Sequence, residues 1–194
     1  MLPRALLSLA LLAGGGEGEF KVVDTVDGVE VASRPVSGSR FVELRFRLTT
    51  EKTIESLCDA AFGDGKLDPN EDVKGRKILE VKPDERVSYD EVSAPLISDR
   101  DYVVRIKRYR AAGGVCGTEY EAANDKAPAL REGWIRIEKL WGGWRFEPAA
   151  DGKSTQVTYV NFTDPGGSLP TWVVEGPRRK NALRWIQRVL NRAK

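Results

Sequence analysis

Between residues 76 and 163 the chain reads as six extended segments, "RKILEVKP", "RVSYDEVSA", "RDYVVRIKRYR", "VCGTEYEAA", "WIRIEKLWGGWRFEP" and "TQVTYVNFT", punctuated by turns such as "KPDE", "AAGG", "GG" and "ADGK". Connections this short join only antiparallel neighbours, because a parallel pair needs a crossover of about a dozen residues or more. Upstream, "VEVASRP" and "RFVELRFRLTT" flank the turn "VSGS" and add two more strands. In the second, Val42, Leu44, Phe46 and Leu48 alternate with Glu43, Arg45 and Arg47, which predicts one buried face and one wet face. The segment "EKTIESLCDAAF" predicts a helix with Thr49 or Thr50 as N-cap and an end near Gly63, its stripe of Ile54, Leu57, Cys58 and Ala61 turned to the sheet. The pattern is β-β-α-β(n)-α, an α+β fold in which a curved antiparallel sheet carries one early helix and one long final helix.

That final segment, "LPTWVVEGPRRKNALRWIQRVLNRAK", sets Leu183, Ile186, Val189, Leu190 and Trp185 along an apolar stripe. Gly176 and Pro177 interrupt it, so a kink or two helical pieces are expected. Lys180, Arg184, Arg188 and Arg192 recur every four residues and form one charged line. With Arg178, Arg179 and Lys194 they make seven cations and no acid from residue 178 onward. A solvated outer helix face accounts for such a line; so does transient contact with an anionic membrane surface, to which each cation adds about 1 kcal/mol when close.

Composition excludes more than it includes. The sequence has no histidine, which removes the commonest general base, the commonest metal ligand and any Ser-His-Asp or Cys-His arrangement. No metal and no cofactor is expected. Cys58 and Cys116 lie in no CxxC pattern, and sequence alone leaves their pairing open. A formal charge of +2 is too small for a nucleic-acid footprint over the whole molecule, so no nucleic-acid partner is expected. The Asp- and Gly-rich "GDGKLDPNEDVKG" fails as a calcium loop: with Asp64 at position 1, Lys66 falls at position 3, Pro69 where a glycine belongs and Gly75 where a bidentate glutamate belongs.

The chain opens "MLPRALLSLALLAGGGEGEF", with one arginine, an apolar run over residues 5–13, then small residues. That is the order of a secretory signal peptide, and the run is too short to span a bilayer. Residues 1–19 are read as leader and linker and residues 20–194 as one domain, exported to a periplasm or secreted; an uncleaved N-terminus on a cytoplasmic protein is the competing reading.

Three motifs in order, "APLISDRDYV" (94–103), "REGWIRIEKL" (131–140) and "DPGGSLPTWVV" (164–174), resemble those of the START domain, the steroidogenic acute regulatory protein-related lipid-transfer module of the helix-grip superfamily. The resemblance spans roughly residues 25–193 and implies a sheet gripped around the C-terminal helix, leaving an apolar tunnel for one lipid-like molecule. It implies that "NDKAPALREG" (124–133) is the omega loop beside the tunnel mouth, and that "DPGG" is the hinge of a lid. Gly166 and Gly167 would be the joint, Pro170 and Trp172 would pin the first turn, and Leu169, Val173, Leu183 and Ile186 would belong to the lid. The aromatic-rich segment that many members carry after the early helix is replaced here by "GDGKLDPNEDVKG", which argues against phospholipid headgroup recognition.

On that frame, alternation places Tyr102, Val104 and Ile106 on the tunnel face, with Arg108 continuing it as a polar anchor; a solvated strand end is the simpler account of Arg108. Ile135 and Ile137 share a face, as do Tyr159, Asn161 and Val157, and Tyr159 and Asn161 offer hydrogen bonds to a ligand hydroxyl or carbonyl. Ordinary core packing explains the apolar members equally well. The expected function is binding, and with it transfer, of a lipid or other hydrophobic small molecule by a monomer with no catalytic residues. Uptake would be driven by about 25 cal/mol per Å² of ligand surface removed from water. Helix-grip proteins also include polyketide cyclases and aromatases, so an enzyme acting on a hydrophobic substrate is the alternative.

Overall fold

The computed structural model describes residues 16–66, 73–93 and 97–194. The apolar leader and the centre of the Asp- and Gly-rich loop lie outside the described residues. Among the described residues ten strands, β1 (Lys21–Val26), β2 (Val29–Pro35), β3 (Val42–Thr50), β4 (Val73–Lys82), β5 (Glu85–Val92), β6 (Arg100–Ala111), β7 (Val115–Ala122), β8 (Ile135–Arg136), β9 (Lys139–Pro148) and β10 (Thr155–Asp164), accompany two α-helices, α1 (Ile54–Phe62) and α2 (Thr171–Arg192), and a short 3-10 helix (Asn124–Lys126). The strands form one sheet in the order β1-β2-β3-β10-β9-β7-β6-β5-β4, with β8 lying beside β6 off this path. All pairs on the path are antiparallel; β8 pairs with β6 in parallel, Arg100 opposite Ile135.

The crossover from β3 to β10 closes the centre of the sheet and sets the face that matters. Cross-strand neighbours share a face. Val31, Phe46, Tyr159, Trp144 and Thr118 therefore line up across β2, β3, β10, β9 and β7. Against this row pack Leu57, Cys58 and Ala61 of α1 and Ala182, Ile186 and Val189 of α2, which form the main core. Thr53, not Thr49 or Thr50, is the N-cap of α1: its side chain accepts from the Ser56 N–H at 3.3 Å, and Gly63 ends the helix with φ of 58°. Cys58 and Cys116 are joined in a disulfide that ties α1 to β7.

Four expectations need correction. β1 is an additional strand, hidden from pattern reading because its residues are mostly exposed, Val22 and Val23 among them, so no alternation marks it. The segment "WIRIEKLWGGWRFEP" is two strands, since Ile135 and Arg136 pair with β6 before the chain joins β7 and β10 as β9. The second face of β3 is not wet throughout: Glu43 is 0% exposed, ion-paired with Arg34 and accepting from Trp141 Nε1 at 2.8 Å. Gly16, bridged to Val36, and Phe20, stacked under Arg34 and Arg45, close over that face. Finally, α2 runs unbroken for 22 residues through Gly176 and Pro177. Pro177 forfeits one bond, to the Val173 carbonyl, and burial of Val174, Ala182, Ile186 and Val189 holds the helix together regardless.

Candidate ligand site

A second apolar cluster, Val104, Ile137 and Leu140 with Tyr102, Ile106 and Ala122 packed on it, adjoins the main core, and Tyr120 packs against both. Tyr120 stands opposite Ile106 on one side and Gly142 on the other, and Gly142 stands opposite Asn161. A Cβ at Gly142 would collide with Tyr120 Oη and with the Val160 carbonyl, so glycine is what lets the tyrosine lie over β9.

Here the otherwise apolar face carries a polar trio. The Tyr120 and Tyr159 hydroxyls are 3.2 Å apart, and Asn161 Nδ2 donates to Tyr120 Oη at 2.8 Å and to Tyr159 Oη at 3.4 Å. Burial pushes the Tyr120 phenol well above its ordinary range and that of Tyr159 upward too, so both stay protonated and can donate. Tyr159 is held flat against Trp144, ring centroids 4.3 Å apart.

The helix contributes Arg178. Its guanidinium lies 5.7 Å from the Phe162 ring centroid and donates from both terminal nitrogens to the Val42 carbonyl, at 3.2 and 3.3 Å. Nε is buried and has no hydrogen-bond partner among the described residues. Burial lowers the Arg178 pKa, opposed by Glu175, by the Tyr120 and Tyr159 phenols and by Asp164. The Val42 N–H is taken by Glu175 Oε1 at 3.1 Å. Val42 needs these partners because the β3–β10 ladder ends at Leu44 and Asn161.

Toward the β4 edge a second polar group shares the face. Asp90, opposite Tyr102, is fully buried and receives Arg76 Nε and Nη2 at 2.7 and 2.6 Å. Arg86, opposite Ile106, spends its terminal nitrogens on the Phe62 and Gly63 carbonyls. Where the final helix begins, Gly166 and Gly167 both have φ of 68°, and a Cβ on either would press on Ile135 at 2.9 to 3.0 Å. Arg40 Nη2 donates to the Gly167 carbonyl at 2.6 Å, fixing the joint.

The sequence profile of the START domain matches residues 70–190. The chain belongs to the START domain family. An uncharacterized protein of Pseudomonas aeruginosa is 29% identical over 189 residues, covering 88% of each chain. A STAR-related lipid transfer protein from Xanthomonas axonopodis superposes with a TM-score of 0.68 at 27% identity, over 88% of this chain and 96% of that one. Human StAR-related lipid transfer protein 5 gives 0.72 at 23% identity, over 90% and 86%, and speaks to the fold alone. The START domain is thus a helix-grip fold, its antiparallel sheet wrapped around α2.

In this START domain Tyr102, Val104, Ile106 and Ile137 share one apolar cluster, and Tyr159 and Asn161 meet it at Tyr120. Ile135 instead packs at the glycine joint. Arg108 is not a polar anchor on that face. It is drawn to the end of the sheet by ion pairs to Asp59 and Asp84, both at 2.8 Å, over the Phe62 ring. Leu183 and Ile186 pack in the main core and Leu169 against a smaller one with Phe41, Phe162 and Val174, while Val173 is half-buried. Pro170 is the N-cap of α2, but Trp172 is 80% exposed and pins nothing: it projects outward from the first turn. Lys180, Arg184 and Arg188 line an open groove of about 500 Å³ against the β1–β2 hairpin, and Arg192 and Arg188 lie over Trp185. Tyr120, Arg178, Glu175 and the Arg76–Asp90 pair were not singled out from sequence. Tyr120 does alternate with Cys116 and Thr118, which is the one local sign of its facing.

Proposed function

We propose that this START domain binds one lipid or comparable hydrophobic small molecule between the concave face of the sheet and α2, and carries it without chemical change. The observation that supports this most is the Tyr120–Tyr159–Asn161 trio, a buried polar spot on a wide apolar wall. Apolar surface supplies affinity, and a few convergent polar groups supply orientation. The name of the Xanthomonas axonopodis relative, a lipid transfer protein, points the same way.

Exchange proceeds by lifting of the first turns of α2 about Gly166 and Gly167. Export is part of the proposal: the leader pattern and a structural disulfide both suit an oxidising compartment. The test is native mass spectrometry of protein purified without detergent, with extraction and identification of anything released. A near-stoichiometric hydrophobic molecule supports the reading. An empty protein that also rejects a panel of fluorescent fatty acid, sterol and phospholipid overturns it, and turnover of a hydrophobic substrate replaces it with catalysis.

A further inference from the structure

We infer that the ligand of this site ends in a carboxylate and that Arg178 of α2 selects it. The inference rests on the binding reading above and narrows it to one ligand class.

Hydrogen-bond accounting at the trio leads there. Asn161 Nδ2 brings two N–H donors, and each tyrosine brings one O–H. Those four hydrogens find acceptors: Asn161 Nδ2 donates to both phenolic oxygens, the two hydroxyls share one hydrogen bond, and Tyr120 Oη reaches the Val160 carbonyl at 3.5 Å. The trio is thus satisfied, and the unmet donor lies beside it on the helix. Arg178 adds a further N–H at Nε, buried and without a partner among the described residues. A buried donor left unsatisfied costs about 1 to 3 kcal/mol, and more when the group is charged.

The nearby acids do not fill the gap. Glu175 Oε1 is engaged by the Val42 N–H, and Asp164 accepts from Ser39 Oγ at 2.7 Å and from the Gly166 N–H at 3.0 Å. What is missing is an acceptor, and the cation beside it calls for a negative one. One guanidinium balances one charge. A carboxylate brings one, while a phosphate monoester brings nearly two and would bury the excess. A ligand alcohol could accept from Nε–H but brings no charge to meet the guanidinium.

The experiment compares hexadecanoic acid and hexadecanol, identical in tail, by displacement of a fluorescent fatty probe from the full chain at pH about 8, where the acid is ionised. The wild type should prefer the acid by about tenfold or more, the yield of one charge-assisted hydrogen bond. Arg178→Gln should lose that preference, acid and alcohol then binding with equal affinity. Glu175→Gln, which touches Val42 and not the trio, should keep it. Equal affinities, a preference for the alcohol, or a preference surviving in Arg178→Gln overturns the inference while leaving hydrophobic binding intact. Failure of the wild type to take either ligand overturns both. Should Arg178→Gln not fold, Arg178→Lys serves: it keeps a cation but loses the Nε–H, and an unreduced preference in it counts against the assignment.

Discussion

Arg178 of α2 holds the backbone carbonyl of Val42 with both terminal guanidinium nitrogens, at 3.2 and 3.3 Å. Three residues earlier on the same helix, Glu175 holds the Val42 N–H. Two side chains thus replace the strand partner that β3 loses where β10 turns away at Asn161. Lifting α2 as proposed would give these bonds up, and the latch would then set part of the opening barrier. Glu175→Ala should cost about 1 kcal/mol, speed amide hydrogen exchange in the peptide spanning residues 41–44 about fivefold, and shorten ligand residence by a similar factor. Unchanged exchange at Val42 would show that the helix moves without the latch.

Gly142 makes room for Tyr120 rather than for a turn. Gly142→Ala drives a methyl into Tyr120 Oη and the Val160 carbonyl, displacing the tyrosine from Asn161. A loss of about 1 to 3 kcal/mol by urea denaturation is expected, with weaker ligand binding in whatever folds. Wild-type stability in this variant would mean that Tyr120 has another place to go.

Asp101 gives the protein an acid limit. The residue is fully buried and receives Arg136 at 2.9 and 2.7 Å and the Tyr89 hydroxyl at 3.0 Å. Burial alone would push its carboxyl up, but the Arg136 and Tyr89 hydrogen bonds outweigh it and hold the pKa below the usual value. A carboxylate depressed on folding stabilises fully above its unfolded pKa of about 3.9 and ceases to as pH falls through the lower folded value. Asp101→Asn should cost about 3 kcal/mol at neutral pH by urea denaturation, because it leaves Arg136 without its charge partner. The gap between variant and wild type should narrow below pH about 4. A gap independent of pH would locate the effect in shape, not charge.

The charged line on α2 and the exposed indole at its start make a testable membrane surface. Replacing Lys180, Arg184, Arg188 and Arg192 with glutamine should weaken binding to phosphatidylserine vesicles by about fivefold per cation at low salt. Trp172→Ala should change stability by less than about 0.5 kcal/mol, since the side chain is 80% exposed, yet lower vesicle affinity. Co-sedimentation that is equal for all variants would return this face to ordinary solvated surface.

Most strands of the sheet and the early helix were legible because their signals are local: alternation in β3, a stripe in α1, turn residues between strands; β1 and the division of β8 from β9 carried no such mark. What eluded pattern reading depends on distant chain. Glu43 looks like a solvent residue until Gly16 and Phe20 fold over it. Tyr120 becomes a site residue only because Tyr159 and Asn161, 39 and 41 positions later, arrive beside it. Arg178 was counted among the outer cations because periodicity gives a helix face but not its depth. Arg108 sat on the right strand face, but Asp59 and Asp84 at the sheet's end claimed it.

The disulfide acquires its meaning from where it is not. Cys58 and Cys116, 58 positions apart, enclose the end of α1 and the whole of β4, β5 and β6, and the link runs from α1 to a central strand. In chain-entropy terms such a closure is worth about 4 kcal/mol. None of it is spent on α2, whose first half is held by hydrogen bonds, packing and the Arg179–Asp24 ion pair. The vessel is riveted and its cover is only latched: α2 can shift while the rest of the container keeps its shape.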